Sequence, residues 1–292
     1  MLAGILSTAT AFTIWGIFPV YLKLLKQVPP LEILSHRVVW SIVFLSVVLL
    51  VRKQWQWVTT IRDNPRISLS FVASALSLGA NWVIYIWAIN ADRIIDASLG
   101  YFITPLFNVL FGILLGERLH AVHWLSVGLA AGGVAWLTFT AGQLPWIGLL
   151  LAISFSLYGL LRKTAALGAL EGLAVETLVM LVPAALFLLW PESDLQGSSS
   201  HAFSSGSLTL SLALMAAGPV TAIPLLMFAY GARRIPLSIV GLLQYIGPSI
   251  QLLLGIWLYH EPFGSAKLMG YVLIWLGLAV FSMHGLWLAW RR

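Results

Sequence analysis

Long apolar runs separated by short polar breaks set the pattern of this chain. Runs of about 20 apolar residues, the length that crosses about 30 Å of hydrocarbon, fall at 2–22, 31–51, 68–90, 95–115 and 122–140. They resume at 146–161, 172–190, 208–230, 236–258 and 266–288. The pattern predicts an all-α polytopic membrane protein with ten transmembrane helices. The sixth run is short, and between the third and fourth Asp92, Arg93 and Asp96 leave room only for a tight turn.

The second five runs repeat the first five. Asp96 to Arg118, DASLGYFITPLFNVLFGILLGER, returns as Ser238 to Glu261, SIVGLLQYIGPSIQLLLGIWLYHE. Laying Pro105 on Pro248 also lays Tyr101 on Gln244 and Asn108 on Gln251, a spacing that puts all three positions of each copy on one helix face. Phe12-Thr-Ile-Trp15-Gly16 recurs as Phe155-Ser-Leu-Tyr158-Gly159, Glu32 falls on Glu176, and Ala88, Ala91, Arg93 and Ile94 fall on Ala229, Ala232, Arg234 and Ile235. Two five-helix halves, 1–142 and 143–292, follow from this register. Because five is odd, the second half enters from the other side. Inverted repeats of this kind are typical of secondary transporters, whose site lies near the midplane and opens alternately to each side.

Composition removes other classes. The chain is 60% hydrophobic and 9% charged, with far more apolar surface than a soluble core of 292 residues could bury. The longest polar stretch, Pro191 to Ser207, is too short for a soluble catalytic or nucleic-acid-binding domain. The net charge of +6 sits at helix ends, so no nucleic-acid partner is expected. Arg52, Lys53, Arg62, Arg66, Arg118, Arg162, Lys163, Arg233, Arg234, Arg291 and Arg292 fall on the side of the termini, against Lys23, Lys26, Arg37, Arg93 and Lys267 opposite. Both termini are therefore expected in the cytoplasm, with the Ser-rich Glu192–Ser207 an external flexible loop. The first apolar run lacks a basic leader and a cleavage site, and reads as a retained helix. No cysteine, Walker loop, dinucleotide fingerprint or zinc motif is present, so no cofactor, no metal and no ATP-driven pumping is expected.

Polar residues inside the apolar runs are the candidates for function. Glu32, His36 and Arg37 lie near the start of the second run, with Glu32 and His36 on one face. They read either as a proton or carboxylate site, or as an interfacial ion pair with a snorkelling arginine. Glu176 mirrors Glu32 without an adjacent His-Arg, and is a third proton-coupling candidate beside Glu32 and His36. Asn81, Tyr85 and Asn90, interleaved with Trp82 and Trp87, fit either a ligand or interhelical hydrogen bonding. Tyr101, Asn108, Gln244, Tyr245 and Gln251 lie by prolines that free backbone carbonyls. Trp15 and Tyr158 fall well inside their runs, where an aromatic lines a cavity rather than an interface. Gly128 and Gly132, four apart, and Gly270 and Gly277 predict close helix packing, within the chain or between two copies as a homodimer.

Together these features resemble the EamA-type drug/metabolite transporter superfamily. Gly116-Glu117-Arg118 closes the fourth run, and FTIWGIFPVYLK from Phe12, EILSHRVVWS from Glu32, NWVIYIWAIN from Asn81, SLGYFITPL from Ser98, YGLLRK from Tyr158, TAIPLLMF from Thr221, LLQYIGPS from Leu242 and Glu261-Pro262 resemble the RarD family. Thr104 stands where that family is expected to carry Asn before the proline. The resemblance implies a multi-pass permease of the bacterial inner membrane, not an enzyme, that moves small metabolites, amino acids or drug-like solutes outward by alternating access. On its motifs lie Trp15, His36, Arg37, Asn81, Trp82, Tyr101, Tyr158, Gln244 and Tyr245 as substrate-binding candidates. In this reading Trp15, Trp82, Tyr101 and Tyr245 stack on the solute, Asn81 and Gln244 orient it, and His36 with Arg37 holds a carboxylate or relays a proton. The rival readings are an intramembrane enzyme or lipid-modifying protein using Glu32 and His36 as acid and base, and a nontransporting sensor.

Overall fold

A computed structural model describes residues 1–53, 55, 57–114, 121–163, 165–189, 207–232, 234–235 and 243–290. Among them there is no strand. The helices are α1 (Leu2–Leu24), α2 (Pro30–Arg52), α3 (Trp57–Asp63), α4 (Pro65–Asn90), α5 (Ile94–Leu114), α6 (Ala121–Ala141), α7 (Trp146–Lys163), α8 (Ala169–Leu189), α9 (Leu208–Ala232), α10 (Ile246–Leu253) and α11 (Ser265–Trp290). A π turn, Leu254–Leu258, continues α10. By length and composition α1, α2, α4, most of α6, α8 and α9 are each apolar enough to cross a membrane, and shorter apolar helices lie in α7, α10 with its π turn, and α11. The outer surface is apolar, with Phe139, Leu189, Val182 and Leu69 among its exposed side chains. The chain is a multi-pass membrane protein.

Helix ends follow local chemistry. Pro30 and Pro65 sit at the first helical position of α2 and α4, where the missing N–H is not needed. Pro65 starts α4 three residues before the expected boundary, and the short α3, whose two arginine-flanked turns carry no long apolar run, was not expected. The turn between α4 and α5 is as tight as the spacing required, with Asp92 at φ 57°. Gly142, near the junction of the halves, has φ 67°, which suits a residue without Cβ. The expected loop Glu192–Ser207 lies outside the described residues except at Ser207, as do Gly116–Arg118 and the first part of the ninth run.

Most of the packing joins a helix of residues 1–142 to one of residues 143–292. α1 packs on α9 and α10, α7 on α4 and α5, α2 on α8 and α9, α8 also on α4, and α6 on α11. Small residues set the closest approaches, as expected where no hydrophobic drive separates protein from lipid. A Cβ at Gly218 of α9 would overlap the Trp40 backbone of α2, and one at Gly133 of α6 would lie 2.6 Å from the Gly270 carbonyl oxygen of α11. Gly128 and Gly132, expected at a helix contact, instead have nothing within 4 Å of an added Cβ. The seam of α6 runs through Gly133, one residue on and about 100° further round the helix.

One proline outside the repeated motif frees a carbonyl that another helix meets. Pro19 lies inside α1, so the Trp15 carbonyl lacks its helical donor. The Gln251 amide of α10 supplies one, at 3.1 Å. The two copies of the fourth-run motif diverge here. Tyr101 and Asn108 lie in an unbroken helix, whereas Gln244 and Tyr245 form a turn before α10, so Gln244 does not share a continuous helix face with Gln251.

Candidate functional site

Two charged clusters lie inside the bundle at different depths. The first is centred on Arg37 of α2, only 6% exposed. Its guanidinium lies 3.9 Å from the ring centre of Trp82 on α4 and 5.0 Å from that of Phe18 on α1. Its Nε donates to Thr221 Oγ1 of α9 at 2.7 Å, and the Thr221 hydroxyl donates in turn to the Ala217 carbonyl. The phenols of Tyr21, Tyr85 and Tyr101 lie within electrostatic reach of the charge. Arg37 thus ties α1, α2, α4 and α9 around a cation.

The second cluster is centred on Glu176 of α8, which is fully buried. Ser74 of α4 donates to it at 2.5 Å, Tyr158 of α7 at 3.4 Å, and Arg162 of α7 pairs with it at 3.7 Å. Arg162 also donates to the Gly168 carbonyl and lies 5.5 Å from the Phe71 ring centre. The arginine that counted toward sidedness in the sequence therefore turns inward.

A chain of aromatic rings joins the clusters. Phe18 stacks on Tyr85 at 6.2 Å, Tyr85 meets Tyr101 edge-on at 5.7 Å, Tyr101 meets Phe155 at 5.9 Å, and Phe155 meets Tyr158 at 5.9 Å. α4 runs alongside, carrying Ser74 to one cluster and Trp82 to the other. Eight residues at 1.5 Å rise separate them by about 12 Å.

The candidates read from the sequence divide among these places. Arg37, Asn81, Trp82 and Tyr101 meet at the first cluster, and Tyr158 and Glu176 at the second. The Asn81 amide donates to the Leu151 carbonyl and to Ser154 of α7, and accepts from the Tyr101 hydroxyl at 3.4 Å, so its capacity is spent on joining α4, α5 and α7. Glu32 and His36 are both buried and face each other along α2, with 4.0 Å between Oε1 and Nε2. Trp15 packs on Phe12 and Phe228, apart from both clusters. Tyr245 stacks on Phe102 among the side chains of α5 and α11. Gln244 is half-buried, and Asn108 is exposed. Ser74, Phe18, Tyr21 and Arg162 were missed. Ser74 is one small polar residue among many, and Arg162 carried only the signal of a terminal charge.

The face opposite the Glu176 cluster is held by ions at helix ends. Lys23 and Lys26 at the end of α1 both pair with Asp92 in the α4–α5 turn, and their hydrogen bonds hold the Asp92 carboxyl below the usual carboxylate range. Glu261, beyond the π turn, accepts from the Ile94 and Ile95 N–H groups and so caps α5. Burial pushes its carboxyl up, against the pull of those two backbone donors. Among the described residues no group of three or more His, Asp or Glu side chains could hold a metal.

Comparison with known proteins places this geometry. The EamA-like transporter family matches residues 2–139 and again 145–283. An uncharacterized transporter of Vibrio cholerae is 46% identical over 97% of this chain and 93% of its own. The uncharacterized transporter YojE of Bacillus subtilis is 44% identical over 99% and 96%, and protein RarD of Escherichia coli 42% over 97% and 95%. A solved crystal structure shares the fold, with a TM-score of 0.62 at 20% identity over 95% of this chain and 96% of its own. With two matches covering nearly all of its length and RarD proteins among its relatives, this chain belongs to the EamA-like transporter family.

Proposed function

We propose that the protein is a secondary transporter of the bacterial inner membrane that exports small metabolites, amino acids or drug-like solutes by alternating access. The observation that carries this reading is the chain of aromatic rings that joins the Arg37 cluster to the Glu176 cluster. Two buried charged clusters in an apolar bundle, offset in depth and joined by aromatic side chains, fit a solute pathway better than a purely structural core.

The proposed architecture is ten spans in two inverted halves, 1–142 and 143–292, with both termini cytoplasmic. The packing supports it. Exchanging α1, α2, α4, α5 and α6 for α7, α8, α9, α10 and α11 turns α1·α9 into α7·α4, α1·α10 into α7·α5 and α2·α9 into α8·α4, and returns α2·α8 and α6·α11 to themselves; all eight contacts are present. Closely paired elements that obey such an exchange are what a rocking mechanism uses.

In this mechanism Arg162–Glu176, with Ser74 and Tyr158, holds α4, α7 and α8 together at the cytoplasmic end. Lys23 and Lys26 on Asp92 hold α1 to the α4–α5 turn at the other. A proton on Glu176 would cancel its attraction for Arg162 and loosen the inner contact, which couples opening to a proton gradient. Among the remaining candidates, Trp82 and Tyr101 stack on the solute, Arg37 faces its polar end, and Trp15, His36, Asn81, Gln244 and Tyr245 shape the surrounding walls, with Glu32 beside His36.

Flux of a pooled amino-acid and metabolite panel into proteoliposomes, with and without an imposed pH gradient, tests the reading. Saturable flux that changes when the gradient is dissipated is expected. No flux across the panel would sink it.

A further inference from the structure

We propose that Arg37 and Tyr85 form a carboxylate subsite in this passage, and that the solute is a small organic carboxylate. The proposal rests on the reading of the passage as a solute path.

The argument starts from an imbalance. Other buried or half-buried charges have opposite partners: Arg162 has Glu176, Arg93 has Asp96, and Lys23 has Asp92. Arg37 is at least as buried as any of these cations, yet among the described residues no carboxylate lies within 4.0 Å of it. Thr221 orients the Nε but is neutral, and the rings of Trp82 and Phe18 cover the faces of the guanidinium, leaving its edge. Nη1 on that edge is buried without a hydrogen-bond partner. An uncompensated buried cation is costly, and an anionic ligand is the missing term.

A second donor waits beside it. Of the three phenols near the charge, Tyr21 donates to the Ala213 carbonyl and Tyr101 to Asn81. The Tyr85 hydroxyl alone has no partner, although the residue is 4% exposed. The open edge of the guanidinium and this hydroxyl match the two oxygens of a carboxylate. A phosphate would bring a further oxygen and more charge into the same ring-lined surroundings. Tyr101 and Phe155, next along the path, offer faces for the apolar body of the solute.

The test uses the purified full-length protein in lipid nanodiscs and three probes that share one body: 3-phenylpropanoate, 3-phenylpropan-1-ol and 3-phenylpropylamine. Binding is measured by calorimetry at fixed chloride and ionic strength. The carboxylate should bind saturably, and the alcohol and the amine at least about tenfold more weakly, the loss expected for one charge-assisted hydrogen bond. Arg37→Gln should abolish the preference for the carboxylate. Tyr85→Phe keeps every ring contact, so it remains informative if Arg37→Gln does not fold; it should weaken the carboxylate about tenfold and leave the alcohol unchanged. Equal binding of carboxylate and alcohol, wild-type affinity in Tyr85→Phe, or no carboxylate binding would overturn the subsite. Flux that persists in proteoliposomes after such a result would leave the transport reading standing, whereas carboxylate binding without flux of any solute would remove transport and keep the subsite.

Discussion

Arg162 and Arg37 are both arginines that turn into an apolar bundle and lie over aromatic rings, and they differ in what completes them. Arg162 meets a carboxylate that a serine and a tyrosine also bond, so its charge is matched within the protein. Arg37 meets a threonine and two rings, and among the described residues its charge is unmatched. A matched cluster fixes three helices relative to one another. An unmatched one leaves a place for something that is not protein. The same side chain thus serves as a clasp at one depth and, in the reading proposed above, as a receptor at the other.

That contrast can be broken most forcefully at the clasp. Arg162→Met strands the Glu176 carboxylate and should destabilise the protein by about 3–5 kcal/mol, read from the midpoint of unfolding in mixed micelles. Adding Glu176→Met should recover most of the loss, since a buried pair replaced by apolar side chains of similar volume is often neutral. If the single variant is as stable as the parent, the cluster is not a clasp. Ser74→Ala removes one donor from a fully buried carboxylate and should cost about 1–3 kcal/mol in the same assay.

The receptor should answer differently. Arg37→Met strands no charge and leaves only the Thr221 hydroxyl short of a donor, so stability should change by no more than about 1 kcal/mol in either direction. A loss as large as that of Arg162→Met would show that Arg37 has a structural partner after all. The smallest effect belongs to the Lys23–Lys26–Asp92 ion group. Lys23 and Lys26 depress the Asp92 carboxyl, so its contribution is present above the ordinary carboxylate range and is lost as pH falls through the depressed value. Because the Asp92 side chain is 54% exposed, that contribution should stay below about 1 kcal/mol. Lys23→Gln should flatten this acid limb of a stability–pH curve; an unchanged curve would remove the pair from the account.

Much of the molecule was legible along the chain. Apart from the ninth run, whose start lies outside the described residues, apolar runs located the long helices to within a few residues, because hydrocarbon leaves a spanning segment little choice but a helix of fixed length. Arg37, Trp82, Asn81 and Tyr101 were singled out together because polar and aromatic groups inside such runs are conspicuous. The roles within that set were not legible. Asn81, read as a ligand contact or as glue, has its donors filled by α7, and Tyr85, grouped with it but left out of the substrate-binding set, has a buried hydroxyl with no hydrogen-bond partner among the described residues. Gly132 and Gly133 are indistinguishable in composition, yet only the second touches α11, because one residue turns a side-chain position by about 100°.

By itself the sequence determined that the chain is helical, membrane-embedded and repeated, since these follow from local hydropathy and from similarity at a fixed offset. Only the tertiary structure decided which charges are matched. Whether Arg37 finds a carboxylate depends on residues scattered over α1, α4 and α9, and whether Glu176 finds Arg162 and Ser74 depends on α7 and α4. Hydrogen bonds and ion pairs act over a few ångströms, and no linear pattern records which helices stand that close.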